Sequence, residues 1–156
     1  MISPLQEQPG PGMTAEALFE KGLGLLRADN SLAALSCFEK AYALKKFPEL
    51  QSYLGMCIAV ERGKITEAVF LCSEAMAQKP DDPVHYLNLG KVYVKAGRKS
   101  SAIETLRKGL SFGDNSEIRA LLDRIGIRKK PVFSFLPRKH FLNRFTGLLL
   151  GRLKLR

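Results

Sequence analysis

The stretch Pro83-Val-His-Tyr-Leu-Asn-Leu-Gly-Lys-Val-Tyr-Val-Lys95, with Ala102, Leu106 and Gly109 beyond it, decides the fold. Tyr86, Leu89, Gly90 and Tyr93 recur at three and four residues, the period of an amphipathic helix. Ala96-Gly97-Arg98-Lys99 reads as a polar turn, and the helical spacing resumes after it. Stepping back 34 residues at a time from Ala102 reaches Ala68 and Ala34; from Leu106, Cys72 and Phe38; from Gly109, Ala75 and Ala41. Gly90, Gly55 and Gly22 precede the three alanines by 12, 13 and 12 residues, so the middle unit is expected to carry one extra residue in its turn, around Glu61 to Lys64. A fixed period of this length marks stacked helical pairs.

Each unit then contains two amphipathic helices around a short turn, Asp29-Asn30-Ser31 in the first and Arg62-Gly63-Lys64 in the second. Two antiparallel helices approach closely only where the crossing residues are small, with larger apolar residues filling the seam beside them. Gly and Ala supply the crossing. Leu18, Leu25, Phe38, Leu54, Ile58, Tyr86, Leu89, Tyr93 and Leu106 supply the filling. After Asp114, Ile118, Leu121, Leu122 and Ile125 form one more apolar stripe, with Asn115 or Ser116 to cap it and Gly126 to end it.

These units resemble tetratricopeptide repeats. The third matches best, through Tyr86, Leu89, Gly90, Tyr93, Ala102, Leu106 and Gly109, with Asp82-Pro83 opening its first helix and Pro80 closing the unit before it. The departures are Gln51 at a large apolar position, Lys46 and Asp114 in place of proline, and Cys72 in place of an aromatic. The resemblance implies an all-α, right-handed α-α superhelix of antiparallel helix pairs: repeats over about 14–47, 48–81 and 82–114, then a capping helix over 115–126. Residues 1–13, rich in Pro and Gly, are expected to be disordered, and 127–156 to form a basic amphipathic extension.

In that family the first helices of the repeats line a concave face that holds peptides or helices. Carried over by position, the groove is Glu16, Phe19, Leu23, Leu26 and Arg27; Glu49, Ser52, Met56, Ala59 and Val60; and Val84, Leu87, Lys91, Val94 and Lys95. The partner-binding residues assigned from these are Phe19, Leu23, Met56, Val60, Leu87, Lys91, Val94 and Lys95, and Phe19, Met56 and Leu87 are the strongest contacts expected. Such a face suits an apolar or amphipathic segment of a protein or peptide. Phe19 and Leu23 stand where chaperone-binding members carry the Lys and Asn of a carboxylate clamp, and Asn88 lacks companions, so that ligand class is disfavoured.

Charge divides sharply along the chain. The total is +10 over 156 residues, but residues 1–126 hold 16 basic and 15 acidic residues, whereas 127–156 hold nine basic and none acidic. Within this tail Phe133 and Phe135 lie between Pro131 and Pro137, and Phe141, Leu142, Phe145, Leu148 and Leu149 share a helical face. Burying five such side chains does not exceed the entropy of ordering the segment, so the tail needs a surface to cover it. The candidate surfaces are the protein's own repeats, as an internal lid, a protein partner, an anionic membrane and, last, nucleic acid. Gly147 and Gly151 form a strip suited to another helix, which favours protein contact.

Catalysis needs convergent groups, and none is visible. His85 and His140 are the two histidines, far apart and without metal-ligand spacing, and no phosphate loop or nucleophile elbow occurs. No cofactor is expected. Cys37, Cys57 and Cys72 are an odd set without a paired motif, read as buried thiols. With no run of about 18 apolar residues and no apolar leader, the expected location is the cytoplasm.

Overall fold

A computed structural model describes residues 13–126 of the chain. Within them seven helices follow one another: α1 (Ala15–Arg27), α2 (Ser31–Leu44), α3 (Pro48–Arg62), α4 (Ile65–Gln78), α5 (Pro83–Lys95), α6 (Lys99–Phe112) and α7 (Ser116–Gly126). Consecutive helices pair as α1 with α2, α3 with α4 and α5 with α6, and each pair stacks on the next through α2–α3, α3–α5 and α4–α5. The expectations for residues 1–12 and 127–156 lie outside the described residues.

Local chemistry sets the helix ends. Thr14, Asn30, Asp82 and Asn115 each accept a hydrogen bond from a first-turn amide, those of Ala17, Ala33, Val84 and Ile118, at 2.9 to 3.1 Å. These side chains satisfy amides that have no partner inside the helix. The turns leave the helices through left-handed residues at Asp29, Gly63 and Gly97, spaced 34 and 34 in the chain. The conformation itself therefore carries the repeat.

The extra residue of the middle unit is not in the turn, as the spacing suggests, but in the helix. α3 has 15 residues where α1 and α5 have 13, and the link after it is correspondingly one residue shorter. The two additional helical residues are Glu61 and Arg62: Arg62 meets Glu39 of α2, with Nη1–Oε1 2.5 Å and Nη2–Oε2 3.0 Å, and Glu61 meets Ser31.

Two apolar clusters fill the interior. The larger joins Leu18, Phe38, Leu54, Ile58, Cys72, Leu89 and Val92 across α1 to α5; the smaller joins Leu87 and Leu106 to Ile118 and Leu121 of α7. Gln51, placed where an apolar residue is usual, is buried and accepts a hydrogen bond from Gln78 Nε2 at 2.8 Å, which removes most of the cost of burying it.

Candidate functional site

The residues assigned to the groove lie on α1, α3 and α5. On α1, Phe19, Leu23 and Leu26 follow at i, i+4 and i+7, and all three are half-buried. On α3, Tyr53 and Val60, seven apart, are half-buried as well. The two helices meet through aromatic rings: Phe19 lies 5.3 Å from Phe47 and 5.7 Å from Tyr53, both edge-on, and 5.7 Å from Phe38. Such tilted contacts match the positive edge of one ring to the negative face of another. Phe19, Leu23, Leu26, Tyr53 and Val60 thus offer partly exposed apolar surface across the α1–α3 junction.

Of the three strongest expected contacts, Phe19 is on this surface and the other two are not. Met56 is 6% exposed and belongs to the main core, and Leu87 is 2% exposed beneath α7. Val94 also packs on the α7 cluster. For Leu87 and Val94 the reason is α7, whose Ile118 and Leu121 join them in one cluster, whereas Met56 is enclosed within the core of α1 to α5. Lys91 is drawn into the same contact, its Nζ 3.1 Å from Glu117 of α7, while Lys95 is exposed. Ser52 and Ala59, assigned to the groove by position, are fully buried. The tail residues Phe133, Phe135, Phe141, Leu142, Phe145, Leu148 and Leu149 lie outside the described residues.

Tyr53 and Phe47 are the surface residues that positional reasoning passed over. The signal for Tyr53 was its seven-residue spacing to Val60, which the repeat register overrode by one position. Burial pushes the Tyr53 hydroxyl above the usual tyrosine range, and the carboxylates of Glu117 and Asp82 add to it. The ring therefore stays neutral, a hydrophobic surface with one polar tip.

Charge around this surface is internally matched. Glu16 meets Lys45 at 2.7 Å, and the equivalent Glu49 meets Lys79 at 2.7 Å, so the first residue pairs of units one and two are tied to the ends of their second helices. The third unit has Val84 and Gly113 at these positions. Hydrogen bonding from Lys45 and Lys79 holds the Glu16 and Glu49 carboxyls below their ordinary pKa. Among the described residues no group of three or more His, Cys, Asp or Glu is placed to hold a metal ion, and no helix is long and apolar enough to cross a membrane.

The family model of the tetratricopeptide repeat matches residues 59–125, the second half of the repeat array. Over these residues the chain is similar to the tetratricopeptide repeat family. Solved tetratricopeptide structures superpose on it. The first such domain of Spaghetti (RPAP3), bound to the HSP90 peptide SRMEEVD, aligns at TM-score 0.58 and 20% identity over 72% of this chain and 90% of that one. The second domain of human RPAP3, in complex with the HSP70 peptide SGPTIEEVD, aligns at 0.58 and 19% over 76% and 100%. The Sgt2 domain from Aspergillus fumigatus aligns at 0.59 and 16% over 90% and 99%. No curated protein matches the sequence.

Proposed function

We propose that this protein, with its tetratricopeptide-like repeats, is a non-catalytic interaction module that holds an apolar or amphipathic segment of a cytoplasmic protein partner against the faces of α1 and α3 that carry Phe19, Leu23 and Tyr53. One observation carries the reading: Phe19, Leu23 and Tyr53 present half-exposed apolar surface at the α1–α3 junction, where a carboxylate-binding member would present cations and amides. Asn88, the remaining clamp-like residue, is buried and donates to Ser52 Oγ at 3.2 Å. The RPAP3 domains take acidic peptides; this surface favours a segment whose contacts are apolar side chains, with affinity set by the area they bury. Lys95, exposed on α5, accommodates an acidic flank. The tail, residues 127–156, is a second docking element or a lid over the same face.

Titrating the full chain with fluorescent peptides tests this. A panel of amphipathic helical peptides is compared with peptides ending in EEVD, and a tail-deleted chain and Leu23→Asp are run beside it. Preferred binding of amphipathic peptides, weakened at least tenfold by Leu23→Asp at unchanged helicity, is expected. Binding of the EEVD peptides alone would remove the proposal. If the tail is a lid, its deletion strengthens peptide binding; unchanged affinity removes the lid.

A further inference from the structure

The first two turns of α5 are joined to α3 by a polar group sealed from solvent. Ser52, His85 and Asn88 are each 0% exposed. Ser52 Oγ donates to the Glu49 carbonyl at 3.1 Å, accepts from Asn88 Nδ2 at 3.2 Å and lies 3.0 Å from His85 Nδ1. A hydroxyl has one proton and two acceptor lone pairs. With its proton on the Glu49 carbonyl, both lone pairs take N–H donors, which assigns His85 to the Nδ1–H tautomer. His85 Nε2 is then a bare acceptor, buried without a hydrogen-bond partner among the described residues, as is Asn88 Oδ1.

A proton arriving at Nε2 would create a buried cation and a donor without an acceptor among the described residues, which a low-dielectric joint resists strongly. The charged groups facing His85 are Asp81 and Asp82 before α5, Glu49 of α3 and Lys79 after α4. Lys79 already engages Glu49 at 2.7 Å and Asp82 at 3.5 Å, so both carboxylates are partly neutralised. Burial outweighs their attraction and holds the ring below the ordinary histidine pKa.

We propose that His85 is a proton-sensitive latch between the second and third repeats, closing the α3–α5 joint when neutral and opening it when protonated. Because the folded state prefers the neutral ring, this stabilisation is fully present above the unfolded value of about 6.5 and is lost as pH falls through the lower folded value. The joint connects the half of the array that carries the apolar surface to the half sealed by α7, so acid separates the two without reaching α1 or α2.

The test uses the full chain. His85→Asn keeps a donor where Nδ1 stood but cannot titrate. Between pH 6.5 and about 5, above the carboxylate range, the wild-type unfolding constant is expected to rise up to about tenfold per pH unit, and in His85→Asn that slope disappears. Hydrogen exchange, corrected for its intrinsic pH dependence, is expected to show α3 and α5 amides opening faster at pH 5 than at pH 7.5 while α1 and α2 do not change. NMR titration of the wild-type imidazoles, with His140→Asn identifying the two signals, reads the ring directly if His85→Asn does not fold. A His85 midpoint at or above 6.5, equal pH slopes in wild type and variant, or uniform exchange across all helices overturns the latch.

Discussion

Phe38 fills the space that a side chain on Gly22 would need: a Cβ built there would stand 2.4 Å from Phe38 Cε1. The same match recurs between Gly90 and Leu106, at 2.5 Å to Cδ2, and between Gly55 and Cys72, at 3.2 Å to Sγ with the Ala68 carbonyl at 2.8 Å. Each pair is the small residue of a first helix against the large residue of its partner helix.

Two glycine substitutions in α1 are expected to have opposite signs. Gly22→Ala forces Phe38 from its place and costs about 1–3 kcal/mol despite the better helix propensity of alanine. Gly24→Ala, three-quarters of the way along the same helix, meets nothing within 4 Å and is expected to stabilise by about 0.5–1 kcal/mol. Urea unfolding of the two variants checks both, and equal effects would contradict the packing.

Removing the capping contact is expected to be costly in a particular way. Ile118 is fully buried against Leu87 and Leu106, so Ile118→Ala is expected to cost about 2–5 kcal/mol. It also loosens α7 over Leu87, and binding of a hydrophobic dye is expected to rise. Breaking the exposed Lys91–Glu117 pair by Glu117→Gln is expected to cost under about 1 kcal/mol, because water screens it.

At the turns, Gly63 and Gly97 have φ of 66° and 70°, and Asp29 holds the equivalent position at 57°. Gly63→Ala is expected to lose about 1 kcal/mol to left-handed strain, and Asp29→Gly to gain a few tenths to about 1 kcal/mol. Thermal unfolding of both variants measures the pair.

The thiols are expected to be silent in the native state. Burial pushes both Cys57 and Cys72 up to about 12, and Cys37 is buried as well. At pH 8 almost no thiolate is present at the first two, so labelling by a disulfide reagent is expected to follow unfolding. Fast labelling of the folded chain at two or more sites would show the core to be open.

Much of this architecture was legible because small and large residues alternate at positions that physics makes interdependent. Gly22 requires a neighbour that fills its space, and Phe38 requires a neighbour without a side chain; one repeat on, Gly55 and Cys72 restate the condition. The caps were legible for the same local reason, as Asp82 before Pro83 shows. The groove was less so. Positional transfer put Ser52 on the surface and passed over Tyr53, while in the folded chain Ser52 is sealed under His85 and Asn88 and Tyr53 is half-exposed beside Phe19. One register step turns a helix by about 100°, enough to exchange interior for surface.

The sequence by itself determined the helical pairs, their period, their turns and the charge division between a near-neutral repeat array and a basic tail. These follow from contacts between residues less than one repeat apart. Only the tertiary structure decided that the extra residue lengthens α3, that Leu87 and Met56 are interior, and that His85 closes a polar joint. Each depends on which helix of another unit, or α7, covers a given face, and a helix's own periodicity names its apolar side without naming what will lie against it.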